Sequence, residues 1–276
     1  MSFATYAKKY DPTGTMKIRS LYIRDIRKKF NLLKNQIKEK MRNWAESIRT
    51  YAEVDPFIFA TDPAKLDLFM SWLTDMEEAG ILYISHGPAQ SIVGDSRWAD
   101  IYIDSAYKKG VSDAYNRMGQ GAKTGMESSA YIRSAFFGPI HADAIGLLFS
   151  RNFSELKGVT EQMNQRISRV LAQGLAEGRN PKKIATELIS EVGWGRKRAE
   201  MVARTEITRA HAEGTLNSYA SFGLQGVMVD VEWLSASDDR VCPHCSSMSG
   251  KVFTIEEARG LIPSHPNCRC CFIPVL

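Results

Sequence analysis

The first 241 residues contain no cysteine, and all five cysteines of the 276-residue chain stand at Cys242, Cys245, Cys268, Cys270 and Cys271. Core cysteines scattered for packing would not concentrate in this way. Other absences narrow the classes of function. No stretch reaches the ~18 consecutive apolar residues of a membrane span. The start, Met1-Ser2-Phe3-Ala4-Thr5-Tyr6-Ala7-Lys8-Lys9, lacks the apolar run of a secretory signal. Both absences predict a chain that folds in a cytosol, where disulfides are disfavoured. There is no internal repeat and no low-complexity tract.

Catalytic signatures are missing as well. Gly119-Gln120-Gly121-Ala122-Lys123-Thr124-Gly125 resembles a phosphate-binding loop, but that pattern needs Gly where Ala122 and Arg117 stand. No strand precedes it, so residues 119–129 read as a Gly/Ser-rich loop. Neither a Gly-x-Ser-x-Gly elbow nor a His-Glu-x-x-His helix occurs. His86 and His141 stand beside Gly and Pro and read as loop residues. Arg204, Glu206 and His211 share one helix without a nucleophile at matching spacing. The chain reads as a non-enzyme, with no small-molecule substrate and no membrane partner.

What is present is ordinary globular composition, 44% hydrophobic and 24% charged, enough for a sizeable core. The net charge of +5 hides an uneven distribution. Residues 17–49 hold 11 Lys/Arg against Asp25, Glu39 and Glu46, a balance of +8, so the remainder sums to −3. The same stretch carries Ile18, Leu21, Ile26, Phe30, Leu33, Ile37, Met41, Trp44 and Ile48 at helical spacing. This predicts a long amphipathic helix whose polar face offers Lys17, Arg24, Arg27, Lys28, Lys34, Lys38 and Arg42 to nucleic acid or an acidic partner. A solvated helix face explains the same composition equally well.

Further helices are predicted from Asp62 (cap) and Pro63 through Leu66, Phe69, Met70, Leu73 and Met76 to Gly80, and from Ser96 to Met118. Helical patterning resumes near His141 and runs to Phe222. It is expected to break at Gly178-Arg179-Asn180-Pro181 and again at Gly193-Trp194-Gly195. Val227 to Trp233 alternates and reads as a strand. The expected fold class is mainly α with a small C-terminal α+β zinc-knuckle module. The expected segments are a helical region (1–130), a second helical part (131–223) and a strand with a Cys/His module (224–276).

Cys242-Pro243-His244-Cys245 is a C-x-x-C knuckle, and Ser264-His265-Pro266-Asn267-Cys268-Arg269-Cys270-Cys271 supplies further soft or imidazole donors. Zinc takes four such ligands tetrahedrally, and two donor pairs roughly 15–25 residues apart meet that need. The expected ligands are Cys242, Cys245, His265 and one of Cys268 or Cys270, with Cys271 a spare thiol and His244 facing solvent. A redox C-x-x-C would need a helix starting at the first Cys and a thioredoxin-like setting, and neither is visible. A catalytic zinc needs an open position. With four protein donors at hand, a structural zinc is expected.

An ordered set of residues then carries a resemblance: Gly178-Arg179-Asn180-Pro181-Lys182-Lys183-Ile184-Ala185, Arg198 to Glu206 with Ala203-Arg204-Thr205-Glu206, Trp233, Asp238-Asp239-Arg240-Val241-Cys242-Pro243-His244-Cys245, and His265-Pro266-Asn267-Cys268-Arg269-Cys270. Over residues 140–274 the chain resembles the phage Mu F-like minor head proteins, or phage head morphogenesis family. The resemblance implies a minor capsid protein of a tailed bacteriophage that acts in procapsid assembly and DNA packaging. Its place would be the interior of the head near the portal, with assembly in the host cytoplasm. It implies as partners the portal protein, the major capsid or scaffolding protein and packaged DNA, and no enzymatic activity. On a helix Arg204 and Glu206 point about 200° apart. Arg204 is therefore expected to reach Asp238 or Asp239, in a structural clamp with Glu206 and Arg240.

Overall fold

The computed structural model describes residues 11–50, 63–80, 98–119, 139–223 and 229–275. Five helices come first: α1 (Met16–Thr50), α2 (Pro63–Gly80), α3 (Asp100–Gly119), α4 (Pro139–Ala176) and α5 (Pro181–Gly223). A small module follows: β1 (Asp230–Leu234), α6 (Pro243–Met248), β2 (Val252–Phe253), α7 (Ile255–Ala258) and β3 (Cys271–Val275). The mainly α class with a small C-terminal α+β module is the one observed. No helix among the described residues is long and apolar enough to cross a membrane.

The predicted Asp62 cap, His86, the helix start expected at Ser96, most of the 119–129 loop and Val227 and Met228 lie outside the described residues. So do the side chains of Trp44, Ile48 and Leu66. The observed helix begins at Asp100.

The chain forms two compact units that do not follow the three consecutive segments expected from sequence. One comprises residues 1–23, 85–152 and 201–276, the other residues 24–84 and 153–200. Helices α1, α4 and α5 each contribute residues to both, because a helix of 35 to 43 residues is longer than a single core requires.

In the second unit the buried seam of α1 is Ile26, Phe30, Leu33, Ile37 and Met41, a spacing of three and four that places all five on one face. The buried residues of the other helices include Met163 and Ile167 of α4 and Leu188 and Val192 of α5. Gly178, at φ +62°, closes α4, with Arg179 N donating to the Gly174 carbonyl at 2.8 Å. Asn180 Oδ1 caps α5 by accepting from Lys182 N at 2.9 Å, and Pro181 fills the first turn.

The expected break at Gly193-Trp194-Gly195 does not occur, and α5 runs through it. A Cβ on Gly195 would stand 2.5 Å from Met163 Sδ and 3.2 Å from Phe30. The glycine makes room for a neighbour instead of ending the helix, at a helix-propensity cost of about 1 kcal/mol.

In the first unit, α3 and α5 pack backbone to backbone. A Cβ on Gly110 would lie 2.1 Å from the His211 carbonyl, and one on Gly214 would lie 2.4 Å from the Tyr107 carbonyl. Several polar groups buried near this contact are paired. The Tyr107 hydroxyl lies in hydrogen-bond contact with His141 Nδ1 at 2.7 Å and accepts from Asn217 Nδ2 at 2.9 Å. His141 is thus a buried member of α4, which corrects its reading as a loop residue. Burial lowers its pKa and favours the neutral ring. Tyr22 stacks on Tyr102 with centroids 4.8 Å apart and donates to Asn152 Oδ1 at 3.0 Å.

The sheet is antiparallel in the order β2-β1-β3. The expected strand is observed as Asp230–Leu234, one residue beyond Trp233, with the buried Val229 before it. Trp233 pairs with Phe272, and their rings meet edge to face at 5.9 Å. Both are fully buried in a core with Leu216 and Tyr219 of α5 and Ile262.

The glycine contact makes a direct prediction. Gly214→Ala should destabilise the chain by about 1–3 kcal/mol through overpacking. Gly146→Ala, where an added Cβ meets nothing within 4 Å, should be neutral or stabilising by up to ~1 kcal/mol. Chemical denaturation of the two variants beside the parent chain checks the contrast.

Candidate metal centre

Two short turns aim the donors. Cys242 is the N-cap of α6, with extended backbone and Pro243 in the first turn. Cys245 N donates to Cys242 Sγ at 3.3 Å and Ser246 N to the Cys242 carbonyl at 3.0 Å, so both sulfurs project to one side. A helix therefore does begin at the first cysteine, contrary to expectation. It rests on a three-stranded antiparallel sheet, which is not a thioredoxin-like setting.

The second turn spans residues 265–268, closed by Cys268 N donating to the His265 carbonyl at 3.1 Å. It depends on Asn267 at φ +63°, a left-handed conformation that Asn tolerates better than most side chains.

The turns bring together Cys242, Cys245 and His265 as one set of donors and Cys245, Cys268 and Cys270 as another, the ligand atoms of each set lying within 4.8 Å of one another. His265 Nε2 stands 3.3 Å from Cys242 Sγ and 3.2 Å from Cys245 Sγ, and Cys245 Sγ stands 3.9 Å from Cys268 Sγ. A tetrahedron with metal–sulfur bonds of ~2.3 Å has sulfur–sulfur edges of ~3.8 Å, whereas a disulfide needs ~2.05 Å. All five thiols are free. The donor chemistry and spacing fit a thiolate-binding ion.

The imidazole is set for ligation too. His265 Nδ1 lies 2.8 Å from the Pro266 carbonyl, which can only accept, so Nδ1 carries the proton and Nε2 offers its lone pair to the cysteines.

Electrostatics point the same way. A hydrogen bond from Cys270 holds the Cys268 thiol down to about 5, against the effect of burial. Burial pushes Cys245 up to about 11, and the bond to Cys268 together with burial pushes Cys270 up as well. Close-packed thiols resist sharing more than one negative charge, and a cation among them would remove that limit. Cys271 belongs to neither set. It is buried on β3 with Sγ 3.5 Å from the Pro12 carbonyl, as expected of a spare thiol. His244 is exposed, its ring edge on Trp233.

Helix α5 holds the second turn. Arg204 Nε donates to Asn267 Oδ1 at 2.5 Å, Asn267 N donates to Thr205 Oγ1 at 3.1 Å, and Thr208 Oγ1 donates to the Cys268 carbonyl at 3.0 Å. The expected bond from Arg204 to Asp238 or Asp239 is therefore corrected. Asp238 is taken by a fork from Arg269, both contacts at 2.6 Å, and by Arg240 at 2.8 Å. The Arg269 hydrogen bonds hold the Asp238 carboxyl well below the usual carboxylate range. Glu206 is buried and faces Arg151 at 3.2 Å and Arg209 at 3.4 Å, away from this grip.

Asn267, Arg269, Thr205 and Thr208 were not singled out by sequence. Asn267 and Arg269 lie beside the cysteines, and that adjacency was the available signal.

Of the other candidates, His211 is fully buried and bonded to Asp113 at 3.1 Å, and Asp113 also binds Lys109 at 2.6 Å. Burial lowers the His211 pKa, and the group serves the α3–α5 contact. On α1, Arg27 is drawn off the basic face by a two-bond pair with Glu200 at 2.9 and 3.0 Å, and Arg24 and Lys28 flank Asp25. Lys17, Lys38 and Arg42 are exposed and Lys34 is half-buried.

Residues 165–273 match the family model described as Phage Mu protein F like protein. A 157-residue stretch, 56% of the chain, is 26% identical to an uncharacterized protein of Haemophilus influenzae strain Rd. It covers 34% of that protein, so the chain spans about a third of the length of the curated relative it matches. No solved structure matches significantly.

The grip on Asn267 predicts coupling. A double-mutant cycle of Arg204→Ala and Asn267→Ala, read by denaturation, should show an interaction energy of about 0.5–3 kcal/mol, whereas Arg204→Ala with Asp238→Ala should be additive.

Proposed function

We propose that this chain, whose residues 165–273 carry a Phage Mu F-like domain, is a structural component of a tailed-phage head with a zinc ion that staples its C-terminal module. The family match carries the head assignment. In this reading the chain enters the procapsid near the portal, contacts portal and capsid or scaffolding proteins through its helices, and supports DNA packaging.

The test removes the chain from cells that make the heads of the encoding phage. Particles should then form poorly or stay unfilled, and the chain should appear by mass spectrometry in particles from intact cells. Normal filling without it, together with its absence from particles, would overturn the assignment.

The donor geometry supports zinc, held by Cys242, Cys245, His265 and Cys268, with the Cys270 thiol donating to the Cys268 sulfur. Zinc suits three thiolates and one imidazole in a tetrahedron. A fourth protein donor leaves no position for a reacting water, which favours structure over catalysis. The bound ion would contribute folding free energy to a module with little core of its own. Elemental analysis after purification under reducing conditions should find about one zinc per chain. Cys268→Ser should lose it, while Cys270→Ser and Cys271→Ser should keep it. A metal-free wild-type chain would sink the zinc reading.

A second reading rests on the exposed Lys17, Lys38 and Arg42 of α1. In it the helix meets packaged DNA through phosphates, without reading sequence. Affinity for a duplex fragment should fall steeply with salt, and Lys38→Ala with Arg42→Ala should reduce the log–log slope by about 2. No binding at low salt leaves a head protein as the partner of this face.

A further inference from the structure

Cys242 is the half-buried member of the thiol cluster, and Cys245, Cys268 and Cys270 are buried. An oxidant arriving from solvent therefore meets Cys242 first. Its sulfur has two partners that favour attack. Cys245 N–H donates to it at 3.3 Å, and His265 Nε2 lies 3.3 Å away. Because Nδ1 of that ring is bound to the Pro266 carbonyl, Nε2 carries a lone pair that can take the Cys242 proton. An accessible thiol with a base and a backbone donor on its sulfur is the setting of a nucleophilic cysteine.

A second thiol lies within reach. Cys242 Sγ, Cys245 Sγ and His265 Nε2 all lie within 4.8 Å of one another, and Cys245 Sγ is 3.2 Å from the same Nε2. Cys268 Sγ, 3.9 Å from Cys245 Sγ, is a rival partner. At 3% and 1% exposure, however, Cys245 and Cys268 are both shielded from an oxidant in solvent. The pair that combines access with proximity is Cys242 and Cys245. No thioredoxin-like sheet is needed for such an exchange, only two sulfurs in reach and a base.

We infer that Cys242 and Cys245 form a reversible redox pair, Cys242 attacking and Cys245 resolving, so that oxidation of the pair empties the metal site. The disulfide stands on the cysteine geometry alone, whereas the loss of metal rests on the zinc reading proposed for the same site.

With a hydroperoxide as oxidant, the Cys242 sulfur attacks the terminal peroxide oxygen and the O–O bond breaks. The Cys242 proton passes by way of His265 to the departing oxygen, leaving a sulfenic acid and an alcohol or water. The Cys245 sulfur then attacks the sulfenic sulfur, the S–O bond breaks, and the hydroxyl leaves with the Cys245 proton as water. The two thiols lose two electrons, and the peroxide gains them. Where zinc is bound, both sulfurs are already deprotonated and solvent supplies the two protons. The thiolate is the form that binds metal, so a disulfide withdraws two of the four donors at once.

The test treats the full-length chain, purified under reducing conditions and freed of reductant, with hydrogen peroxide. Disulfides are mapped by mass spectrometry while a chromogenic chelator reports released zinc. A Cys242–Cys245 disulfide should form, with about one zinc released for each. Dithiothreitol should restore both thiols. Dimedone present during the oxidation should trap a sulfenic acid on Cys242, and Cys270→Ser and Cys271→Ser should oxidise as the wild type does.

The wild-type map needs no variant to fold. Cys245 joined instead to Cys268 or Cys270, thiols that stay free, or dimedone on another cysteine would overturn the redox pair. A Cys242–Cys245 disulfide in a chain that held no zinc upholds the pair and removes the zinc reading. A zinc-loaded chain that forms no disulfide does the reverse.

Discussion

The C-terminal module depends on one residue staying in an uncommon backbone conformation. Asn267 at φ +63° turns the chain so that His265 and Cys268 aim where Cys242 and Cys245 already point. A left-handed non-glycine residue costs of order 1 kcal/mol or more and persists only where its surroundings over-determine it. Here they do, since Arg204 and Thr205 bind Asn267 itself and Thr208 binds the next carbonyl. The Arg269 fork onto Asp238 fixes the following residue and ties the turn to the loop that leads into Cys242.

Much of this architecture was legible in the sequence, and the failures share a cause. Periodicity located the buried seam of α1, and Gly178 with Asn180 and Pro181 marked the junction of α4 and α5, because both signals are local. The Cys/His spacing located the clustered donor side chains because each pair is an i,i+3 turn. Pairing charges across the chain did not work: Arg204 was matched to Asp238, but its acceptor is a neutral amide. Opposite charge limits the choice of partner without determining it. Gly195 was read as a helix break because sequence shows a missing side chain and not the neighbour that fills its place. His141 was read as a loop residue because its partner, Tyr107, lies 34 positions away.

The basic helix shows how pattern and structure divide the work. Its apolar stripe follows helical spacing through both compact units, yet its cations are not equivalent. Arg19 is buried on Asp11 and Arg27 is held by Glu200, which leaves a sparser positive face than composition suggested. Lys17, Lys38 and Arg42 stay exposed, as do Lys40 and the pair Arg24 and Lys28 that shares Asp25.

The donors lie late in chain order, and the residues that hold them lie early. Arg204 precedes Asn267 by 63 positions, and Thr208 precedes Cys268 by 60. During synthesis the gripping face of α5 can exist as helix before either donor turn has left the ribosome, and His265 and Cys268 follow Cys242 and Cys245. A site of four donors would then be complete only after Cys268 has been added. A bound ion would thus mark chains whose two turns have met, as distinct from those whose turns are still apart.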